Sequence, residues 1–559
     1  MYHRSCAKRF FVATIGCLCS VISFAAILPD TLLAFPGAAG FGKYTSGGRG
    51  GNVVYVTTLA DDADGATVGS LRWAMKQYTD STPITVCFAV SGEIRLVKDL
   101  RINRKNYTIA GQTAPGMGIV ITHNKVNCGG SENFIIRNIR FRVGCYSADS
   151  TFITQNAFGA ENCSNFILDH CDFGWSSEEN INTFDGHFFT VQYCLVHEGL
   201  YRSGHPKGDR GYGCQWGGSP ASYHHNLLAH NNGRSCRFNG ARNNDRVVYL
   251  DYINNVNFNY YGGSTACHGG ENTCDDKFYN GKNSGHEVNF VNNYYIKGPN
   301  TTNTRLFFVA DEKRSNGAAS RGPSQWYVNG NIFDGEPGAT ADNWSAVTIK
   351  KYSKEEARVD TLIRTKTPYW DCNADSTEFS GLYDFDAYAY AAGTFQTATE
   401  AYQTVLDTVG AFPRDHVENR IIEETRTNTY TYKGSKSGKK GIIDNPADAE
   451  GFYAYPEVDA FVDTDLDGMP DVWETANGCD PLVADNNTLH PSGYTMLEIY
   501  LDYAMTHRGA MDDGYTPSEE GSFQPSVISI QTQKILRDGQ LLIQRGADIY
   551  DVLGRQIGR

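Results

Sequence analysis

The sequence predicts an all-β chain wound as a parallel β-helix, and three observations carry that reading. The first is repetition. NFIIRNIRFRVG (133–144), NFILDHCDFGW (165–175), FFTVQYCLVHE (188–198), ASYHHNLLAHN (221–231), RVVYLDYINNVNF (246–258), EVNFVNNYYIKG (287–298) and SQWYVNGNIFDG (324–335) share one pattern. Each holds two short apolar-alternating runs broken by Asn, His or Asp, the mark of a stacked repeat. The second is what lies between them: polar, Gly-rich segments of uneven length without helical periodicity, which argues against βαβ units. A β-sandwich is the competing architecture, but it would need frequent two-residue Asn-Gly or Asp-Gly turns. The third is composition, with 58 Gly and 33 Tyr in 559 residues and few long Leu/Ala/Glu/Lys-rich stretches. That balance favours strands and turns. Asn at the bends fits a solenoid, because Asn tolerates left-handed backbone and stacked Asn can form hydrogen-bonded ladders.

In chain order, residues 1–34 have the form of an export signal. His3, Arg4, Lys8 and Arg9 precede an apolar run from Phe10 to Leu28, and TLLA ends near Ala34. A cleaved signal is the expectation; the run is also long enough for a retained anchor. The mature chain is then expected to be secreted or held at the cell surface. Residues 35–430 are expected to form the β-helix with a partly helical C-terminal packing segment in KKYSKEEARVDTLIRTKTPYW and ATEAYQTVLDTVGAF. YKGSKSGKKG (432–441) is expected to be a basic linker. Residues 451–508 have the character of a separate small module, and 526–559 that of a sorting tail or a terminal hairpin.

The net charge of −14 argues against a nucleic-acid partner, which usually requires a basic face. Fifteen cysteines, without CxxC pairs, argue against zinc. Cys163, Cys171 and Cys194 fall in apolar strand patterns and are expected as buried thiols, whereas Cys267 and Cys274 could close a short disulfide loop. His224 and His225 are expected as stacking or bend residues.

The most specific local motif is DTDLDGMPDVWE. Asp463, Asp465, Asp467, Gly468, Asp471 and Glu474 match the first, third, fifth, sixth, ninth and twelfth positions of an EF-hand calcium loop. Ca²⁺ takes hard oxygen ligands, and alternate Asp residues around a tight turn supply them. YPEVDAFV, just before it, is not a clear helix, and the ion is expected to be structural. A second constellation spans 155–242, with Glu178, Glu179 and Asp185 followed by His205, Lys207 and Arg210, then by NNGRSCRFNGAR with Arg234, Arg237 and Arg242. On successive coils these would form one face pairing acidic oxygens with bases. Such a face suits a polyanionic substrate.

FPGAAGFGKYTSGGRGG, GSLRWAM, FAVSGEI, YTIAGQTAPGMGIVI, NFILDHCDFGWS and YHHNLLAHNNGRSCRFNGAR follow one another in order over about residues 35–335. As an ordered set they resemble the pectate lyases of polysaccharide lyase family 1, in the extracellular form common in Bacteroidota. The resemblance implies a right-handed parallel β-helix and Ca²⁺-assisted β-elimination on polygalacturonate. It places Arg234 at the catalytic arginine that opens the family's R-x-P-x-x-R motif, with Cys236 in place of Pro and Asn239 in place of the second Arg, and Arg237 nearby. It places Lys207 near the substrate carboxylate and a calcium at Asn156, Glu179 and Asp185. Arg210, His205 and Arg242 are the further candidate substrate-binding residues. The expected partner is an acidic polysaccharide met by a monomer. Two alternatives stay open: a non-catalytic pectin-binding protein, and a polygalacturonase-type hydrolase, which the Asn-Thr-Phe-Asp-Gly-His run at 182–187 loosely resembles.

Overall fold

The structure, a computed structural model, describes residues 32–145, 154–239, 247–260, 266–270, 285–302, 309–310, 324–349, 353–363, 395–456 and 458–507, with strand segments between 532 and 558. Every third strand of the main body pairs in parallel, building three sheets of ten, nine and nine strands. That connectivity is a parallel β-helix. The first sheet runs from Asn52–Val56 to Gln325–Asn329, the second from Gly92–Arg95 to Ile332–Phe333, and the third from Leu100–Arg101 to Thr348–Ile349.

Alternation fills the interior. Tyr107, Phe134, Phe166 and Phe189 lie in register on consecutive coils, their rings stacked 5.0, 4.8 and 4.3 Å apart. At the corner after the first sheet the chain turns on one left-handed residue per coil: Asn138, His170, Tyr193, His225, Asn254 and Asn292, with φ between 51° and 62°. His170, Tyr193 and His225 stack there with ring centroids 5.0 Å apart. The doublet His224–His225 is therefore a bend-and-stack element, as the sequence suggested. One residue past the corner, Asn226, Asn255, Asn293 and Asn331 form a buried amide ladder, which Asn343 at the start of a 3-10 turn extends, with Nδ2–Oδ1 distances of 2.9, 3.2, 2.8 and 3.0 Å. Cys163, Cys171 and Cys194 are buried thiols inside the coil. The Cys267 sulfur lies 2.9 Å from the Ser235 carbonyl and 3.3 Å from the Tyr295 hydroxyl; Cys274 lies outside the described residues.

Residues 33–48 run as a strap over the outer face of the first sheet. Phe41 N–H donates to Ser222 Oγ, Gly42 N–H to Thr190 Oγ1 and Gly48 N–H to Thr108 Oγ1, stepping across coils. The expected signal, 1–34, lies almost wholly outside the described residues. Among the described residues no helix is long and apolar enough to cross a membrane.

Helices Ala398–Thr408 and His416–Thr427 pack on the second sheet's side, both opened by capping boxes, at Thr397/Glu400 and Asp415/Glu418. Residues 432–441 are not a free linker. Lys433 and Lys440 form an antiparallel bridge, Asn259 donates to the Lys440 carbonyl at 2.9 Å, and the following Ile442 and Ile443 are wholly buried. The apolar pair after the basic run overrides its composition. The strand segments Thr532–Arg537, Gln540–Arg545, Asp548–Tyr550 and Gln556–Gly558 form a four-stranded antiparallel sheet.

Candidate active site and candidate metal centre

Two charged centres stand out, one on the β-helix and one in the C-terminal module. The first lies where the third sheet begins on consecutive coils. Glu179 opens strand Glu179–Thr183 and Tyr212 opens Tyr212–Trp216, in register side by side. Arg234 sits in the next coil, where Gly233 bridges to Tyr212. Its backbone is left-handed, with φ 54°, a conformation that is costly for a long side chain and that clusters at functional sites. The turn is held by contact with the coil below: Cys214 N–H donates to the Arg234 carbonyl at 2.9 Å. A Cβ on Gly213 would stand 2.7 Å from that carbonyl oxygen, so only glycine permits the approach.

This strained turn delivers the guanidinium. Arg234 forms an ion pair with Glu179, lies 4.2 Å from the centre of the Tyr212 ring, and donates to Gln215 Oε1 at 3.3 Å. Arg237 is in register with Gln215 on the neighbouring strand and faces outward, opposite Phe238 in the core. Arg210 lies on Tyr212 as well, 5.3 Å from the ring centre, with Nη1 donating to the hydroxyl at 3.3 Å. Tyr212 is thus flanked by two cations, an arrangement that attracts and orients guanidinium groups. Sequence reading passed over it because tyrosine is common throughout the chain.

The loop between Leu195–His197 and Tyr212–Trp216 supplies the remaining candidates. Lys207 is exposed. Its N–H donates to His205 Nδ1 at 3.0 Å, and His205 Nε2 lies 2.6 Å from Glu178 Oε1. Only 2% of the His205 side chain is exposed. His205 is thus buried and anchors the lysine's turn, away from the exposed position its candidate substrate-binding role called for. Glu178, 3.6 Å from Arg210 Nε, is the tether of this loop.

Asn156 Oδ1 accepts the Glu179 N–H at 3.3 Å, so these two candidate calcium ligands are neighbours. Asp185 does not join them. It follows the far end of a five-residue strand that Glu179 begins, and at the usual rise that strand alone separates them by about 13 Å. Arg242 lies outside the described residues. On this flank the chain offers the Asn156 and Glu179 oxygens side by side. Ca²⁺ needs six to eight, so an ion here fits when the oxygens of a bound ligand and water complete the shell.

The second centre gathers carboxylates alone. Asp463, Asp465 and Asp467 place oxygens within 4.8 Å of one another, and so do Asp467, Glu474 and Asp485. Burial, then the neighbouring carboxylates, push Asp467 up to about 6 and Glu474 up to about 8. Asp471 is not part of either group. Its two oxygens accept the N–H and hydroxyl of Thr464, at 2.8 and 2.7 Å, which corrects its assignment as a ligand. Asp485, eleven residues beyond the loop's last position, was invisible to the motif. Among the described residues between 451 and 462 no helix precedes the loop, so a complete EF-hand is not formed.

These features define a parallel β-helix protein with an arginine-centred site on one flank of its coils. No protein-family model matches the chain. Curated relatives do. The probable pectate lyase C of Aspergillus terreus is 30% identical over 477 residues, 84% of this chain and 94% of that protein. The probable pectate lyase C of Emericella nidulans is 30% identical over 473 residues, 84% of this chain and 92% of that protein. Solved structures similar to the chain include the major allergen of cedar pollen, at 15% identity over 67% of this chain and 92% of that one with a TM-score of 0.41. A thermostable pectate lyase is another, at 13% identity over 68% and 98% with a TM-score of 0.40. The chain belongs to the pectate lyase family, the one its ordered motifs resemble.

Proposed function

We propose that this pectate lyase is a secreted enzyme that cleaves polygalacturonate by calcium-assisted β-elimination, with Arg234 acting on the C5 proton. The observation that carries the assignment is Arg234 itself: a left-handed arginine ion-paired to Glu179, laid on Tyr212, beside Arg237. β-Elimination removes the proton from C5, forms the C4–C5 double bond and expels the O4 glycosyl oxygen, which takes up a proton. The C5 proton is hard to remove because the carbanion is unstable, so positive charge at the uronate carboxylate lowers the barrier. Lys207, Arg210 and Arg237 supply that charge and hold the polymer by its carboxylates.

Asn156 and Glu179 would hold the calcium together with the uronate oxygens. When bound, the ion would neutralise the carboxylate and stabilise the carbanion. Arginine has a pKa above 12 in water. With Glu179 turned to a cation, Arg234 would lose that anionic partner while Tyr212 and Gln215 still hold it in place, and nearby positive charge favours the neutral form of a base.

The test is ultraviolet absorbance of the unsaturated product on polygalacturonate, with and without a chelator. Absorbance that grows with added calcium is expected. Reducing ends without absorbance would indicate hydrolysis, and binding without either signal a carbohydrate-binding protein; both outcomes overturn the proposal.

A further inference from the structure

The carboxylates of the C-terminal module converge in two groups that share Asp467, and their own hydrogen bonds do not account for that convergence. Glu474 is wholly buried, and neither of its carboxylate oxygens has a hydrogen-bond partner. Its oxygens lie with those of Asp467 and Asp485 inside a 4.8 Å cluster. Asp465 Oδ2 and Asp485 Oδ1 are likewise buried without a partner. Among the described residues no lysine or arginine is ion-paired with any of these carboxylates. A buried, unpaired carboxylate is costly, and several converging ones remain ionised together only with a compensating cation. Oxygen-only donors of this number suit Ca²⁺.

The backbone is arranged to aim them. Asp467 accepts the N–H groups of Met469, Asp485 and Asn486 at 3.0, 3.0 and 2.9 Å, which draws the 480s segment against the loop and brings Asp485 in. Asp463 accepts the N–H groups of Asp467 and Gly468 at 3.2 and 2.9 Å. It also accepts the hydroxyl of Tyr55, a residue of strand Asn52–Val56 in the first coil. Around this contact, Arg49 pairs with Glu498 at 2.6 Å, Asn487 donates to the Gly51 carbonyl at 3.1 Å, and Met469, Leu497 and Tyr500 cluster with Ala110.

We infer that Asp463, Asp465, Asp467, Glu474 and Asp485 bind one structural calcium ion, and that this ion fastens the C-terminal module to the first coil of the β-helix through Asp463 and Tyr55. Asp485 takes the place in the shell that the loop motif would give to Asp471. The inference does not rest on the elimination chemistry.

The experiment is calorimetric titration of CaCl₂ into the chelator-treated full chain without polysaccharide, paired with limited proteolysis of the 452–462 segment. The wild type is expected to take up one tightly held ion and to lose cleavage in that segment when calcium is added. Glu474→Gln and Asp485→Asn are each expected to weaken binding at least about tenfold and to leave the segment cleavable, with elimination retained at saturating calcium. Asp471→Asn is expected to bind as the wild type does. Wild-type affinity in Asp485→Asn, or tenfold weakening in Asp471→Asn, would overturn the ligand set. Cleavage that calcium does not alter would overturn the fastening. If Glu474→Gln does not fold, Asp485→Asn, which keeps the side-chain volume and the Asp467 contacts, decides the question.

Discussion

Arg234 shows how a single residue joins sequence to chemistry here. Its guanidinium is placed by three contacts and its backbone by a glycine one coil away, so both its charge and its planar shape matter. Lysine would keep the charge but not the planar guanidinium that lies on the Tyr212 ring. Arg234→Lys is therefore expected to lower kcat on polygalacturonate by on the order of 10²–10⁴ while leaving the circular dichroism spectrum unchanged. Near-wild-type turnover in that variant would remove Arg234 from the chemistry. The arginines were legible in the sequence because three of them crowd a twelve-residue stretch of an acidic chain. Tyr212 was not, since it belongs to no motif and its role comes from neighbours on other coils.

At the level of the elements, the asparagine ladder is what sets the corner of the coil. Asn293 Oδ1 accepts from the Asn255 backbone and amide, and its own Nδ2 serves Tyr252 O and Asn331 Oδ1. Deleting it leaves several buried groups unsatisfied at about 1–3 kcal/mol each, with partial relaxation. Asn293→Ala is expected to lose about 3 kcal/mol by the shift in denaturant midpoint, whereas Asn329→Ala, at an exposed position, should change little. Equal effects would mean that the ladder adds nothing beyond packing. The repeat makes the coils legible in the sequence, because a bend that recurs each turn must reuse residues tolerant of left-handed backbone. The 432–441 run misled for the converse reason: its lysines and glycines say nothing of the buried surface its flanking isoleucines find.

Across the whole molecule, the C-terminal half is bound to the solenoid by buried ion pairs. Arg142, 3% exposed, spans Asp172 of the coil and Asp415 at the cap of the second helix, with contacts of 2.7 and 2.5 Å. Arg140 reaches Glu418 at 2.7 Å. Burial raises the Asp172 and Asp415 carboxyls, but Arg142, together with His197 at Asp172 and Arg140 at Asp415, holds both below the ordinary range. Groups depressed in the folded state contribute stability that is present above the unfolded value, near pH 4, and is lost as pH falls below it. Thermal stability is thus expected to drop steeply below about pH 4. In Asp415→Asn, which keeps a capping residue but not the charge, the protein should be weaker at neutral pH and that acid limb flatter. An unchanged limb would assign acid sensitivity to other carboxylates.

The sequence by itself determined the solenoid, the buried thiols, the turn-forming histidines and asparagines, the acidic positions of the Asp-rich loop and the arginine at the centre of the flank. Each is a local or periodic signal, written in consecutive residues or repeated once per coil. Only the tertiary structure decided which carboxylates meet. It put Asp185 at the wrong end of a strand, gave Asp471 to Thr464, buried His205 on Glu178, brought Asp485 to Glu474, and joined Asp463 to Tyr55. These are contacts between segments far apart in the chain or on opposite ends of a strand. They follow from packing, which fixes distances that spacing along the sequence leaves undetermined.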